Sequence, residues 1–482
     1  MNLTDREKEQ LKAMIDAGEP LPPRYRGVLF KEPQEAELIW PGKTSEITNV
    51  VLPFQSIEQI DEPRVETSGQ VADLFAFDAK TGRQSGGWTN KLIWGDNKLV
   101  LASLKNGPLR RDIESLGGLK LVYIDPPFDV GADFSFDVEV GENESVTKQP
   151  SLIEELAYRD TWGSGTQSYI HMLYERLRLI HELMAPDGSL YVHVGWQVSG
   201  YVRTILDEIF GDGGIPGRPG FRNEIAWKCT SAHSDSGRFG INHQTIFFYT
   251  KSGSYTWNEQ YEPYDEQYVE SYYRYKEPDG RRFKSGDLSA YGLSGGGYTY
   301  EWHGHTKLWR CPPETMQRLH DEGKIFYTKN GVARKKDYLD EAKGQPVQTL
   351  WADKTIQYLV SWGDENTGYE TQKSENLLTR IVETSSNPGD LIADFFAGSG
   401  TTLSVAEKLG RKWIGADLGR FAIHTSRKRL IGVQRQLKAS AKPYRSFEIL
   451  NLGKYERQFF VGIDPTLPEE QRRALIVPLR VV

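Results

Sequence analysis

The run from Leu119 to Ile124 is apolar almost throughout and ends on Asp125-Pro126-Pro127. A strand without polar alternation is buried on both faces, so it belongs inside a mainly parallel sheet with helices packed on each side. The neighbouring sequence agrees. Ser168 to Met184 carries Tyr169, Met172, Leu173, Arg176, Leu177 and Ile180 at helical spacing, and Pro186-Asp187-Gly188 is read as its stop. Ser189 to Val194 is then a strand, Val198 to Phe210 a helix, and Asn223 to Lys228 with Gln244 to Thr250 a closing hairpin.

Beyond Lys251 this alternation lapses for about a hundred residues dense in Tyr, Trp, Arg, Lys and Gly, such as Tyr272-Tyr273-Arg274-Tyr275-Lys276. It resumes with a helix Glu375 to Ser385, a strand Leu391 to Asp394, a helix Thr401 to Leu409 and a strand Trp413 to Asp417. An α/β core interrupted by an inserted domain is the expected architecture. The first residues predict a helix over Thr4 to Ala17 with a capping box, and the stretch through Phe54 reads as irregular cover for the core.

Composition removes several classes of function. A chain of 482 residues exceeds one average domain, and its two cysteines, Cys229 and Cys311, form no C-x-x-C pair. Neither a disulfide framework nor a metal site is expected, with His303, His305 and Cys311 read as structural. No apolar run approaches a membrane span and the first residues lack an apolar signal core, so a cytoplasmic location without membrane contact is expected. The net charge of −7 argues for no nucleic-acid partner by itself, although basic residues slightly outnumber acidic ones between Gly217 and Gly344.

Two motifs carry chemistry. In Asp125-Pro126-Pro127-Phe128, a carboxylate at the carboxyl end of a buried strand sits where open α/β sheets bind ligands. The Asp125 side chain and the Pro126 carbonyl can accept hydrogen bonds from one amino group, and Phe128 offers a flat face to a base. A capped strand end with a core Phe produces the same short string. In Asp394-Phe395-Phe396-Ala397-Gly398-Ser399-Gly400-Thr401, two glycines let a ligand approach the backbone just before a helix N-terminus, and Asp417 ends the next strand, where an acid can hold ribose hydroxyls. The dinucleotide pattern G-x-G-x-x-G fails at Leu403.

Together these residues resemble the beta-class exocyclic-amino DNA methyltransferases, the group that includes type III restriction-modification Mod subunits. In that family D-P-P-[YF] is catalytic, F-x-G-x-G binds the cofactor, the catalytic motif comes first, and target recognition lies between them. The resemblance runs from about Leu92 to Leu430 and departs at Asp394-Phe395-Phe396, where the family has D-P-F, at Ser374, where Pro is common, and at Gly195, where Asp is frequent. It implies a Rossmann-like α/β sheet, circularly permuted in motif order, with S-adenosyl-L-methionine as cofactor and N6 of a flipped adenine in double-stranded DNA as target. Asp125, Pro126, Pro127 and Phe128 are then catalytic, while Asp394, Phe396, Ala397, Gly398, Ser399, Gly400, Thr401 and Asp417 hold the cofactor.

Thr371 and Lys373 resemble the segment that closes over the methionine part of the cofactor, and Asp96 the loop beside its adenine. Arg334-Lys335-Lys336 resembles the end of the recognition insert. The implied organisation is an extension packed on the core over 1–91, a catalytic half over 92–252, a target-recognition insert over 253–350, a cofactor half over 351–436 and a C-terminal extension over 437–482. A cognate restriction endonuclease subunit and a homodimer are the further implied partners. N4-cytosine methylation and a catalytically silent DNA-binding module of the same fold stand as alternatives.

Overall fold

The computed structural model describes residues 5–16, 37–44, 48–60, 87–127, 136–139, 145–148, 165–214, 217–231, 237–291, 296–356, 358–359, 365–369 and 371–452. The chain divides into two compact units, one formed by Met1–Asn258 with Thr349–Val482 and the other by Glu259–Gln348.

The larger unit is built on a mixed sheet of ten strands. In chain order these are β1 (Phe54–Ile60), β2 (Asn90–Trp94), β3 (Leu119–Ile124), β4 (Met184–Val194), β5 (Gly220–Lys228), β6 (His243–Thr250), β7 (Leu350–Trp351), β8 (Leu391–Asp394), β9 (Lys412–Asp417) and β10 (Phe447–Leu452). Across the sheet they lie as β1-β10-β2-β9-β8-β3-β4-β6-β5-β7. The six strands from β10 to β4 run parallel, and β1 and β6 are antiparallel to their neighbours.

The helices that matter for the site are α1 (Asn97–Asn106), α2 (Thr166–Leu183), α3 (Ser199–Phe210), α4 (Glu375–Ser385), α5 (Thr401–Lys408) and α6 (Arg420–Ala439). In α2 the predicted stripe Tyr169, Met172, Leu173, Arg176, Leu177 and Ile180 is buried. Leu173 and Leu177 share one core with Val122 and Ile124 of β3 and Leu190 of β4. Each such apolar side chain contributes roughly 1.5–3 kcal/mol on burial.

Two expectations need correction. Helix α2 begins at Thr166 and stops at Leu183, and Met184 already belongs to β4. The Pro186-Asp187-Gly188 segment is taken up by an irregularity in register, since Leu119 faces Met184 while Leu121 faces Ser189. Gly188 is required there because a Cβ would come 2.8 Å from the Leu119 carbonyl oxygen. The irregular cover expected through Phe54 gives way there to β1, which pairs antiparallel with Phe447–Leu452 at the sheet edge. The N-terminal helix spans Asp5–Asp16, and Thr4 of its expected capping box lies outside the described residues.

Glu259–Gln348 has its own small core of Leu288, Trp309, Met316, Leu319, Ile325 and Ala333. Its four-stranded antiparallel sheet runs Tyr275–Lys276, Arg282–Gly286, Ala333–Tyr338, Ile325–Tyr327. The Arg334-Lys335-Lys336 run lies on the third of these strands and is paired with acids: Arg334 with Asp287, Lys335 with Asp337 and Lys336 with Glu277. Among the described residues no helix is long and apolar enough to cross a membrane.

Candidate active site

Strands β2, β9, β8 and β3 are consecutive and parallel, so their carboxyl ends share one edge of the sheet. Asp96, Asp417, Asp394 and Asp125 stand at or just past those four ends. The edge lies where chain order reverses, since β2 and β3 come early in the chain and β8 and β9 late, and open α/β sheets bind ligands at such switch points. Residues far apart in sequence thereby converge.

The glycine turn after β8 is held from below by Asp394. This buried carboxylate accepts from the Phe396 amide at 2.9 Å and from the Thr402 hydroxyl at 2.6 Å. Burial pushes its carboxyl up to about 7, and the two hydrogen bonds only partly offset that rise. Above it the chain turns through Gly398 (φ 50°) and Gly400 (φ 73°), both in the left-handed region that favours glycine. A Cβ on Gly400 would meet the Ser426 hydroxyl of α6 at 2.6 Å, whereas one on Gly398 would meet the Tyr369 ring at 3.3 Å. Gly400 therefore serves close helix packing, and Gly398 keeps open the approach beside Tyr369.

Asp417 ties the turn to β9. Its Oδ2 accepts from the Gly398 amide and its Oδ1 from the Gly419 amide, both at 2.8 Å. The Ser399 and Thr401 hydroxyls are 3.0 Å apart, and Arg429 of α6 donates to Thr401 at 2.9 Å. The Ala397 amide donates to Ala416 O, and Phe396 packs partly buried against the core. A glycine turn, an acid at the next strand end and a helix N-terminus fit a nucleoside-bearing cofactor with a charged tail.

At the end of β3, Asp125 is mostly shielded and forms an ion pair with Lys373, whose Nζ lies 2.5 Å from Oδ2. Burial pushes the Asp125 carboxyl up, and Lys373 pulls it back down. Pro126 is buried beside it, Pro127 is half-buried, and Phe128 lies outside the described residues. Beneath Asp125, the Tyr123 hydroxyl is 2.8 Å from His193 Nδ1, and burial holds that imidazole neutral.

Two further expected cofactor residues, Asp96 and Thr371, lie on the flanking segments. Asp96 caps α1, accepting from the Lys98 and Leu99 amides at 2.9 and 3.2 Å, and its other oxygen meets Arg176 at 3.1 Å. Its neighbour Asn97 is the residue of that loop that reaches the cofactor motif, donating to Phe395 O at 3.1 Å. Thr371 is exposed, and its carbonyl takes the Lys373 ammonium at 3.4 Å. The hydroxyl of Ser374 makes no side-chain cap on α4; the Glu365 carboxylate accepts from the Glu375 amide instead, at 3.0 Å.

Sequence reasoning placed Arg176 only in a helical stripe and did not single out Tyr369, Phe421 or Arg429. Tyr369 and Phe421 stack at 5.8 Å between centroids beside Gly398. None of the four stands in a motif, so no local signal marks them.

A mainly parallel α/β sheet with a glycine turn at one strand end and a cation-paired carboxylate at the next is an arrangement suited to a cofactor-dependent transferase. Residues 119–428 match the N6/N4 methyltransferase family described as DNA methylase, and the chain belongs to that family. The type II methyltransferase M.EcaI of Enterobacter cloacae is 34% identical over 354 residues, 70% of this chain and 69% of that protein. The Mod subunit of the type III restriction-modification enzyme StyLTI of Salmonella typhimurium is 28% identical over 338 residues, 65% of this chain but 49% of that subunit. The DNA adenine methyltransferase YhdJ of Escherichia coli is 44% identical over 81 residues, 17% of this chain and 26% of that protein. This chain thus spans about half the length of the StyLTI subunit it matches.

Proposed function

We propose that the protein methylates N6 of adenine at specific sites in double-stranded DNA, with Asp125 as the acceptor at the target amine. One observation carries this reading: Asp125 and the Gly398 turn occupy the carboxyl ends of adjacent parallel strands, β3 and β8, so acceptor and cofactor cradle share one edge. S-adenosyl-L-methionine, when bound, supplies a methyl group that passes to the amine nitrogen as its carbon–sulfur bond breaks.

The residues of this chain do the rest. Asp125 accepts one N–H of the flipped base and the Pro126 carbonyl the other, which favours the tetrahedral nitrogen that develops during attack. Even a carboxylate raised by burial is too weak a base to deprotonate a neutral amine, so its role is orientation, and the extra proton leaves after transfer. Phe128 stacks on the base. Gly398 to Thr401 and Asp417 hold the cofactor, the acid at its ribose hydroxyls. With the acceptor motif preceding the cradle, the sheet reads as a circularly permuted Rossmann-like core.

Glu259–Gln348 is the target-recognition insert in this reading, because it folds apart from the α/β sheet and interleaves aromatic with basic side chains. A restriction endonuclease subunit is the partner suggested by the restriction-modification relatives. The reading is tested by incubating the protein with double-stranded DNA and isotopically labelled cofactor, then digesting to nucleosides for mass spectrometry. Labelled N6-methyladenine is the expected product. N4-methylcytosine would replace the base assignment, and no labelled base in any sequence tested would return the silent DNA-binding alternative.

A further inference from the structure

Lys373 was expected beside the cofactor, but its ammonium lies 2.5 Å from Asp125 Oδ2, with both side chains largely withdrawn from water at 12% and 14% exposure. The lysine reaches this position from a pinned base. Its carbonyl accepts from the Thr401 hydroxyl at 3.3 Å, and Thr401 in turn accepts from Arg429 at 2.9 Å. The same guanidinium donates to Glu375 Oε1 at 2.9 Å, two residues beyond Lys373. One short segment therefore touches the cofactor turn with its backbone and the acceptor of the target amine with its side chain.

Among the described residues, none of the other groups coupled electrostatically to the pair is a cation. Tyr123 and Tyr169 feel the charge of Asp125, and burial raises both phenols so that they stay neutral. Asp394 is a second carboxyl close enough to interact with Asp125. On the lysine side stand His193, which burial keeps neutral, and Cys229, whose thiol burial pushes up. A shielded carboxyl in such surroundings takes up a proton unless a cation faces it. Once protonated it becomes a donor and loses acceptor capacity towards an amine.

We propose that Lys373 is a positioning residue of the methyl-transfer centre, holding Asp125 charged and aimed while anchoring it to the cofactor turn. This rests on Asp125 being the acceptor at the target amine. The lysine touches neither the base nor the methyl group in this role.

The test compares single-turnover methylation by the wild type, Lys373→Met and Lys373→Arg across the neutral pH range, with S-adenosyl-L-methionine affinity measured by calorimetry. In Lys373→Met the acidic limb of the rate profile should move to higher pH, because the carboxyl has lost its cation. The rate at fixed neutral pH should fall about tenfold for each unit of that displacement and recover as pH rises. Lys373→Arg should restore the limb, and cofactor affinity should stay within a few fold. Asp394 is unchanged in all three proteins but interacts with Asp125, so the difference between profiles reports the loss of the Lys373 charge together with its effect through that pair. A wild-type profile in Lys373→Met overturns the proposal, as does a large loss of cofactor affinity with an unmoved limb, which would make Lys373 a cofactor ligand. Should Lys373→Met not fold, Lys373→Gln is read in the same way. Asp125→Ala run alongside separates the two readings: full activity there removes Asp125 as the acceptor, whereas a dead Asp125→Ala beside an unperturbed Lys373→Met removes only the role of the lysine.

Discussion

Asp125 and Asp394 end neighbouring parallel strands a few residues from one cofactor cradle, yet their surroundings differ in kind. Asp125 faces a cation, Lys373. Asp394 faces neutral donors, the Phe396 amide and the Thr402 hydroxyl. Burial pushes both carboxyls up, but only Asp125 has a positive charge drawing it back. If Asp125 acts as proposed, a carboxylate that must present lone pairs to a substrate needs its charge secured, whereas one that shapes a turn works through geometry and tolerates a proton. Similar positions in the sheet therefore carry unlike duties.

The sharpest way to break the contrast is to remove the carboxylate at the reacting centre. Asp125→Ala should lower the single-turnover rate by ~10²-fold or more, the usual cost of losing one preorganised group there. Cofactor affinity should hold, because Asp125 is no part of the Gly398 turn. An unchanged rate would place the acceptor elsewhere on the edge.

The cradle side is tested at Gly398. A side chain there would have to adopt φ near 50° and press on the Tyr369 ring, 3.3 Å from its Cβ. A β-branched residue in that region costs roughly 1–2 kcal/mol or more before any clash, so Gly398→Val should weaken S-adenosyl-L-methionine binding by at least about tenfold. Calorimetry reads this directly, with the melting transition as a control for folding. Undiminished affinity would mean that the ligand does not approach this turn.

The smallest effect concerns stability. The carboxyl of Asp394 moves from its ordinary 3.8 to about 7 in the folded protein. Between those values the folded form holds the proton more readily than the unfolded chain, so this residue makes stability fall as pH rises through that window. The slope is at most about 1.4 kcal/mol per pH unit. Asp394→Asn keeps an acceptor for the Phe396 amide and has no proton to lose, so its melting temperature should decline less than that of the wild type from acidic to neutral pH. Parallel declines would show that Asp394 is ionised throughout and differs less from Asp125 than its partners suggest.

How far the sequence could be read depended on how local the signal was. Leu119–Ile124 and Leu391–Asp394 were legible to the residue because each is a short run, apolar but for Lys120 and the closing Asp394, bounded by a turn. Phe54–Ile60 was not, since its partly exposed, polar-rich pattern FQSIEQI becomes a strand only when Phe447–Leu452 lies beside it. Met184 to Gly188 was assigned to the end of a helix and its stop, yet pairing with β3 drew it into an extended conformation. Asp96 shows the same limit in a side chain. Its Gly95-Asp96-Asn97 setting could be read locally, whereas its partners, the amides at the start of α1 and the guanidinium of Arg176, could not.

By itself the sequence determined the chemistry: an acid before two prolines, a glycine turn before a helix, and the order in which they occur, because each is a matter of residue type within a few positions of backbone. Which acid meets which partner was decided by tertiary structure alone. Strand order brings β3 beside β8, and the segment before α4 swings Lys373 onto Asp125 and Thr401 onto the Lys373 carbonyl. Such pairings join distant parts of the chain through side chains that no local periodicity constrains, so only the packed sheet can specify them.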